Sequence, residues 1–441
     1  MRKFIVFVLF LLFTAFVWRS FNVKDVFVPI SFKNYSTTKS DLSFLKEKLK
    51  NANIVLLGEG LHFYKTDGAS KLKVIKYLHE EMDFDVLLME YSFYDFYNLN
   101  NSLGKSVNFE DTVLKYSRYL PKHTLDVIEY VNEQKLTGHN IDLGGVDTDL
   151  SYDQKARNPF KFFLKNSISY SNSYEIKKTY CLLQKYSQAK LNNDETMILK
   201  KTLKAIRLRS YEKSYFKNIS LNNLWFQIYC NLNTELSYLD LYKRTSSIKK
   251  LIFDDDYQII DTDDSKKRDS MMFQNFEYLK NFYPGKKIIV YTSSFHIRKS
   301  VEPFKNKRKI GNRTIPLGKY ISDKYKNTYH IAWIYNSVED IKKKNSYLKR
   351  SRSSLESFLY KNKMGSGFID LHDLASKGDS IFTMYPIWQF RTKGKWIDAF
   401  DAVIYLDTAR AMREFYNYGI YNDSIERTYF APWDKSCNPT K

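Results

Sequence analysis

Cysteine is scarce in this chain, which has only three among its 441 residues: Cys181, Cys230 and Cys437. None belongs to a Cys-x-x-Cys pair, which excludes a zinc knuckle and a thioredoxin-like redox motif. An odd number of widely spaced cysteines also argues against a disulfide framework. A single disulfide stays compatible with the sequence, which does not indicate the pair.

The chain also lacks a localised basic patch, although 70 Lys and Arg against 49 Asp and Glu give it a formal charge of +21. The lysines are spread along the whole length, and the densest basic runs, 304–313 and 340–354, are typical of solvent-exposed surfaces. Domains that bind nucleic acid usually concentrate basic and aromatic residues on one surface. We therefore predict no nucleic-acid partner.

A predominantly apolar run occupies residues 4–18 and follows Arg2 and Lys3. As a helix these residues would be about 22 Å long, which is short against a hydrocarbon core of about 30 Å. The run predicts a signal peptide or a membrane anchor over 1–24, and a buried core helix is the alternative. No Ala-x-Ala cleavage pattern follows it. We expect the protein in the bacterial cell envelope, exported or anchored to the membrane by this segment.

Buried strands alternate with amphipathic helices in the rest of the chain. The stretches "NIVLLGEG" (53–60) and "FDVLLMEY" (84–91) are continuous apolar runs, as in the buried strands of parallel sheets. Between them, 69–82 has apolar residues at helical spacing. Two strands joined by a helix are expected to be parallel and close together. The fold class predicted is α/β, with a central, mostly parallel sheet flanked by helices.

This alternation stops in the middle of the chain, where 155–250 is polar, rich in tyrosine and without a strand signal. We predict a helical insertion there, between a first part of the α/β domain at 25–154 and a second part at 251–441. The other predicted helices are 40–52, 124–136 and 265–283, and the other predicted strands are 140–150, 286–297, 329–335, 367–374 and 400–408.

Four of the predicted strands end in or near an acidic or imidazole side chain. Glu59 and His62 follow the first strand, and Glu90, Asp147 and His296 follow three others. Because ligands of open α/β sheets bind at the carboxyl ends of the strands, these side chains are expected to meet at one edge. Carboxylates and imidazoles brought together in this way suit an acid–base site. A strand-end acid can also simply cap the next helix.

The order and spacing of several short motifs along the chain resemble those of the erythromycin esterase family. A Gly-Glu-x-x-His motif, 58–62, is followed by a strand whose Glu90 lies 28 residues beyond His62. The resemblance spans about 50–410. The further segments that resemble the family are "LGGVDTD" (143–149), "RDSMMFQN" (268–275), "IIVYTSSFHI" (288–297), "LGKYI" (317–321) and "FDAVIYLDTA" (400–409).

The resemblance implies an α/β esterase that opens a macrolide-like lactone, or another small-molecule ester, with water. His62 would be the general base, with Glu59 and Glu90 positioning both it and the water. His296 would stabilise the oxyanion or protonate the leaving alkoxide. No Gly-x-Ser-x-Gly nucleophile motif occurs, which favours direct attack by water over an acyl-enzyme.

The chain departs from the family pattern at two places. The family's His-Asn-x-His motif begins with Ser293 and Ser294 here, and Lys71 stands where the family usually has an arginine. Lysine lacks the planar, two-pronged contact that arginine makes with a carboxylate. Lys71 and Ser293 are candidate residues for binding the substrate or supporting the site. The others are Asp147, Arg268 and Asp269.

Two other functions stay open. The first is a metal-dependent hydrolase, in which Glu59, His62, Glu90 and His296 would supply nitrogen and oxygen ligands to a divalent ion. The second is a non-catalytic envelope protein on a degraded esterase fold, which the serine at Ser293 would suit. No other cofactor is expected. The sequence indicates neither the true substrate nor the oligomeric state.

Overall fold

A computed structural model gives the fold of most of the α/β region. The residues that it describes are 22–32, 39–60, 64–105, 109, 113, 122–147, 181–182, 192, 194–195, 197–199, 201, 263–300, 315–339, 347–386 and 391–410. The apolar run 4–18, most of the predicted insertion 155–250, and His62 lie outside them. Within the described ranges, no helix combines the length and apolar character needed to cross a membrane.

The described strands form one large mixed sheet and one small hairpin sheet. They are β1 (Phe27–Pro29), β2 (Ile54–Glu59), β3 (Phe84–Ser92), β4 (Asp142–Asp147), β5 (Lys287–Ser293), β6 (Thr328–Glu339), β7 (Tyr347–Lys349), β8 (Gly367–Asp370), β9 (Ile381–Met384), β10 (Thr392–Lys395) and β11 (Ala402–Ala409). The large sheet has nine strands in the order β1-β8-β11-β6-β2-β5-β3-β4, with β7 paired to β6. Strands β2 to β6 and β11 are parallel, whereas β1, β7 and β8 pair antiparallel. The predicted mostly parallel α/β sheet is confirmed.

Helices cover both faces of this sheet. They are α1 (Phe44–Lys48), α2 (Lys65–Met82), α3 (Phe93–Ser102), α4 (Lys122–Thr137), α5 (Asp263–Phe282), α6 (Leu317–Lys324), α7 (Leu355–Lys361) and α8 (Leu371–Ser376). Alternate residues of the parallel strands supply a separate apolar core to each face, which is why these strands are apolar throughout.

The two cores are identified by the helix that packs on each. Leu57 of β2 lies in one core with Ile75 of α2, and we call that side of the sheet the α2 face. Leu56, the neighbouring residue of β2, lies in the other core with Phe276 of α5, on what we call the α5 face.

Two predicted elements differ from those observed. The single helix predicted over 40–52 is a 3₁₀ turn followed by the short helix α1, which together still bury Leu42, Leu45 and Leu49. The strand predicted over 367–374 ends at Asp370. The carboxylate of Asp370 accepts hydrogen bonds from the peptide nitrogens of His372 and Asp373 and so caps α8.

Gly145 of β4 is a position where the sheet tolerates no side chain. A Cβ there would lie 2.2 Å from the Ser92 carbonyl oxygen and 2.5 Å from that of Tyr91. We expect Gly145→Ala to lower the free energy of unfolding by about 1–3 kcal/mol, because backbone atoms of β3 must move. Urea unfolding monitored by circular dichroism measures this change.

Gly144→Ala is the matched control for this prediction. Its Cβ would approach methyl groups of Leu88 and Leu279, at 2.8 and 3.0 Å, and these side chains can rotate. It should therefore cost less stability than Gly145→Ala. Equal stabilities of the two variants would contradict the close approach at Gly145.

Candidate active site

The carboxyl ends of four parallel strands bring the candidate residues to one edge of the sheet. Glu59 ends β2, Glu90 lies near the end of β3, and Asp147 ends β4. His296 follows the last residue of β5 by three positions. The structure brings Glu90, Asp147 and His296 together around Arg268, and it places Glu59 at the end of the nearby strand β2. The roles assigned to them, and the place of His62, stay predictions.

Glu59 forms a buried ion pair with Lys71. Lys71 of α2 is fully buried, and its ammonium group donates a hydrogen bond to Oε2 of Glu59. The Tyr291 hydroxyl lies 3.3 Å from the same oxygen. The ammonium also lies over two aromatic rings, 4.7 Å from the ring centre of Tyr291 and 5.7 Å from that of Trp333. These contacts compensate for the loss of water around a buried cation.

Glu90 is held by donors on both of its carboxylate oxygens. Oε2 accepts from the Thr292 hydroxyl at 2.6 Å and from the Ser293 peptide nitrogen at 2.9 Å. Oε1 lies 3.0 Å from Nη2 of Arg268 and 3.2 Å from Nε2 of His296. Hydrogen bonds to the charged form of a carboxylate favour that form. Glu90 is therefore a fixed acceptor.

Arg268 joins the ends of β3 and β4. Its Nε and Nη2 donate to the two carboxylate oxygens of Asp147 at 3.0 and 2.5 Å, which is the bidentate geometry that a guanidinium makes with a carboxylate. Nη2 also contacts Glu90. Because Asp147 is almost fully buried, this pairing compensates for the loss of water around its charge.

His296 is a buried cation between two carboxylates. Its Nδ1 lies 2.7 Å from Oδ1 of Asp269, and its Nε2 faces Glu90. Burial lowers the pKa of His296, but the charges and hydrogen bonds of Asp269 and Glu90 outweigh burial and raise the pKa to about 10. Nη1 of Arg268 lies 3.3 Å from Nε2, and with the ring protonated both atoms are donors towards Glu90. A histidine in this state supplies positive charge and is a poor base at neutral pH.

Asp269 anchors this histidine to the start of a second helix. Its Oδ1 also accepts from the peptide nitrogen of Leu317, the first residue of α6, at 2.9 Å. Asp269 and Arg268 are neighbours in α5, so one helix places both residues. The candidates that the sequence named in "RDSMMFQN" therefore contact the other candidates directly.

The site has two halves on opposite faces of the sheet edge. Glu59 lies on the α2 face with Lys71 and Tyr291, whereas Glu90 lies on the α5 face with Thr292 and His296. Tyr291, Thr292 and Trp333 were not among the residues predicted from the sequence. The signal that would have found them is the alternation of side chains along β5 and β6, which sends successive residues to opposite faces.

Within the described residues, no group of three or more His, Cys, Asp or Glu side chains is arranged to hold a metal ion. The two carboxylates proposed as alternative ligands are each bound to a cation, Glu59 to Lys71 and Glu90 to Arg268. A divalent ion would have to displace these partners.

The sequence model of the erythromycin esterase family matches residues 79–409, which are most of the chain. The chain belongs to the erythromycin esterase family. Putative hydrolase YbfO of Bacillus subtilis (strain 168) is 28% identical over 383 residues, which are 80% of this chain and 81% of that protein. Together these matches make the chain a hydrolase of this family.

Solved structures share the fold of this family member. A mutant of the erythromycin esterase EreC in its open conformation has a TM-score of 0.66 and 16% identity, with 87% of this chain and 98% of that chain covered. A succinoglycan biosynthesis protein has a TM-score of 0.64 and 14% identity, with 88% and 96% covered. At these identities the likeness concerns the fold alone.

The raised pKa of His296 leads to a prediction about pH. The ring stabilises the folded protein fully below its unfolded pKa of about 6.5, and this stabilisation is lost as the pH rises towards about 10. NMR of histidine labelled with ¹³C should show one ring, absent in His296→Gln, that titrates near pH 10. Asp269→Asn should lower the pKa of that ring. A His296 signal that titrates near pH 6.5 in the unaltered protein would contradict the ion pairs described.

The pair of Glu59 and Lys71 is expected to be coupled in stability. Lys71→Met leaves a buried carboxylate without its cation, and we expect a loss of about 3–5 kcal/mol in the free energy of unfolding. In the double variant with Glu59→Gln, part of this loss should be recovered, because the uncompensated charge is gone. Urea unfolding of the four proteins gives the coupling energy. Strictly additive losses would show that the two side chains do not interact.

Proposed function

We propose that this member of the erythromycin esterase family hydrolyses a carboxylic ester or lactone with a water molecule that His62 activates. The observation that carries the proposal is the position of Glu59, Glu90 and His296 at the carboxyl edge of the parallel strands. Each of these side chains has a partner of opposite charge. His62 follows Glu59 by three positions in the chain. Three residues span at most about 11 Å, so a base at His62 is compatible with a reaction at this edge.

The proposed reaction needs one base and stabilisation of two developing charges. His62 takes a proton from water, the water oxygen forms a bond to the carbonyl carbon, and the bond to the alkoxide oxygen then breaks. The proton on His62 passes to that alkoxide. A nearby carboxylate such as Glu59 favours the imidazolium form of His62, and the buried charge of His296 favours the oxyanion.

His296 has a narrower role here than the family resemblance implied. Both of its ring nitrogens already face carboxylates, Asp269 and Glu90, and its pKa of about 10 makes it a weak acid. We propose that it acts through its charge and by holding Glu90. In this scheme the proton of the leaving group comes from His62.

The proposed substrate is a small ester or lactone, of which macrolides are one class. The matched family and EreC are both named as erythromycin esterases, and these names support a lactone as the substrate. Lys71 and Ser293, where this chain departs from the family pattern, both lie at the candidate site. The acyl and alcohol parts of the substrate are therefore left open in the proposal.

We further propose that the protein is exported to the cell envelope. Cys181 is disulfide-bonded, which supports a compartment that is oxidising. Its partner, one of the two other cysteines, lies outside the described residues. The apolar run 4–18 supports export as well, because its length and the preceding basic residues suit a signal sequence.

A panel of macrolides and simple esters tests the proposed reaction. We expect the purified protein to add one water molecule to at least one of them, as detected by mass spectrometry, with or without a chelator. His62→Ala should lower kcat/KM by about 10²–10⁴, which is the typical contribution of a general base. His139→Ala is the control, because His139 is exposed and precedes the opposite end of β4. If the folded protein hydrolysed no member of the panel, the proposed function would be wrong.

A further inference from the structure

Ser293 connects the two halves of the candidate site. It is the last residue of β5 and the direct register partner of Glu59 in the parallel strand β2. Its peptide nitrogen donates to Oε2 of Glu90 at 2.9 Å. One residue therefore adjoins both carboxylates, through its backbone on one side and its position in the sheet on the other.

The side chain of Ser293 belongs to the α2 face, where Glu59 lies. Side chains alternate along a strand, so Ser293 shares a face with Tyr291, whose hydroxyl contacts Glu59. Thr292, between them, points to Glu90 on the α5 face. Neighbouring strands lie about 4.8 Å apart, which places the Ser293 side chain next to that of Glu59.

The Ser293 hydroxyl makes no hydrogen bond with any residue in the part of the chain that the structure describes, although Ser293 is only 5% exposed. The hydroxyls on either side are both used. Thr292 donates to Glu90 at 2.6 Å, and Ser294 donates to the Gly58 carbonyl oxygen at 2.8 Å. The Ser293 oxygen is not among the enclosed, unpaired side-chain atoms of the described residues. It is therefore open to a group that enters the site.

We propose that the Ser293 hydroxyl is a further catalytic residue, which binds the attacking water beside Glu59. This role rests on the proposed function. A water molecule has two hydrogens, and His62 removes one of them. The other hydrogen needs an acceptor, which orients the water so that a lone pair of its oxygen points towards the carbonyl carbon. A serine oxygen can accept that hydrogen and still donate its own to a carboxylate such as Glu59. The oxygen of water, not that of Ser293, then forms the new bond to carbon.

Crystal structures of the full chain and of Ser293→Ala test the water site without reference to turnover. We expect an ordered water within about 3.2 Å of the Ser293 oxygen, and its loss in the variant. This result stands even if the protein hydrolyses none of the esters offered, so the two proposals can fail separately. A well-ordered Ser293 without a water, or a water that persists in the variant, would overturn the inference.

Kinetics with any ester of the panel that the protein hydrolyses test the catalytic role. Ser293→Ala should lower kcat by about 10–100-fold and leave KM within about twofold, because the water takes part in the chemical step and does not bind the ester. Ser293→Cys keeps the size of the side chain but hydrogen-bonds weakly, so it should lose kcat as well. An unchanged kcat in either variant would overturn the role.

Ser294→Ala is the matched control, because it removes a neighbouring hydroxyl whose bond to Gly58 is structural. It should lower the melting temperature and leave kcat within about threefold. Intact-mass spectrometry during turnover separates the remaining alternative, in which Ser293 is the nucleophile. An acyl group trapped on Ser293 would overturn the water-binding role, and unmodified protein throughout would support it.

Discussion

The contact of Arg268 with Glu90 and Asp147 is the interaction on which the rest of the site depends. These carboxylates end neighbouring strands, and Asp269 adds a third negative charge through His296. Without a cation between them, these three closely spaced acids would repel one another in a medium of low polarity. With Arg268 in place, Glu90 stays fixed beside His296, and α5 is held against the edge of the sheet.

Much of the fold could be predicted from the sequence, because continuous apolar runs and helical spacing are local signals. The convergence of Glu59, Glu90, Asp147 and His296 followed from the parallel direction of the strands. The ion pairs could not be predicted in this way. Arg268 is 178 residues from Glu90, and nothing local indicates which carboxylate a distant cation will meet. For the same reason Asp370 went unnoticed as a helix cap, since a cap depends on backbone geometry.

The two departures from the family pattern fall on the same half of the site. Lys71 contacts one oxygen of Glu59, and its ammonium group also makes cation–π contacts with the rings of Tyr291 and Trp333. A planar guanidinium is therefore not needed there. Ser293 is the register partner of the same glutamate. On the α5 face, by contrast, Arg268, Asp269 and His296 are present as the family resemblance implies. The departures from the family pattern are thus concentrated around Glu59.

Because Glu59 and Glu90 lie on opposite faces of the sheet, a molecule that touches both must bridge the rim formed by the ends of β2, β5 and β3. Such a molecule would approach the rim along the direction of the strands. A shift of β5 by one residue against β2 would move Ser293 away from Glu59, so the pairing of the strands is itself a constraint on which molecules this protein can accept.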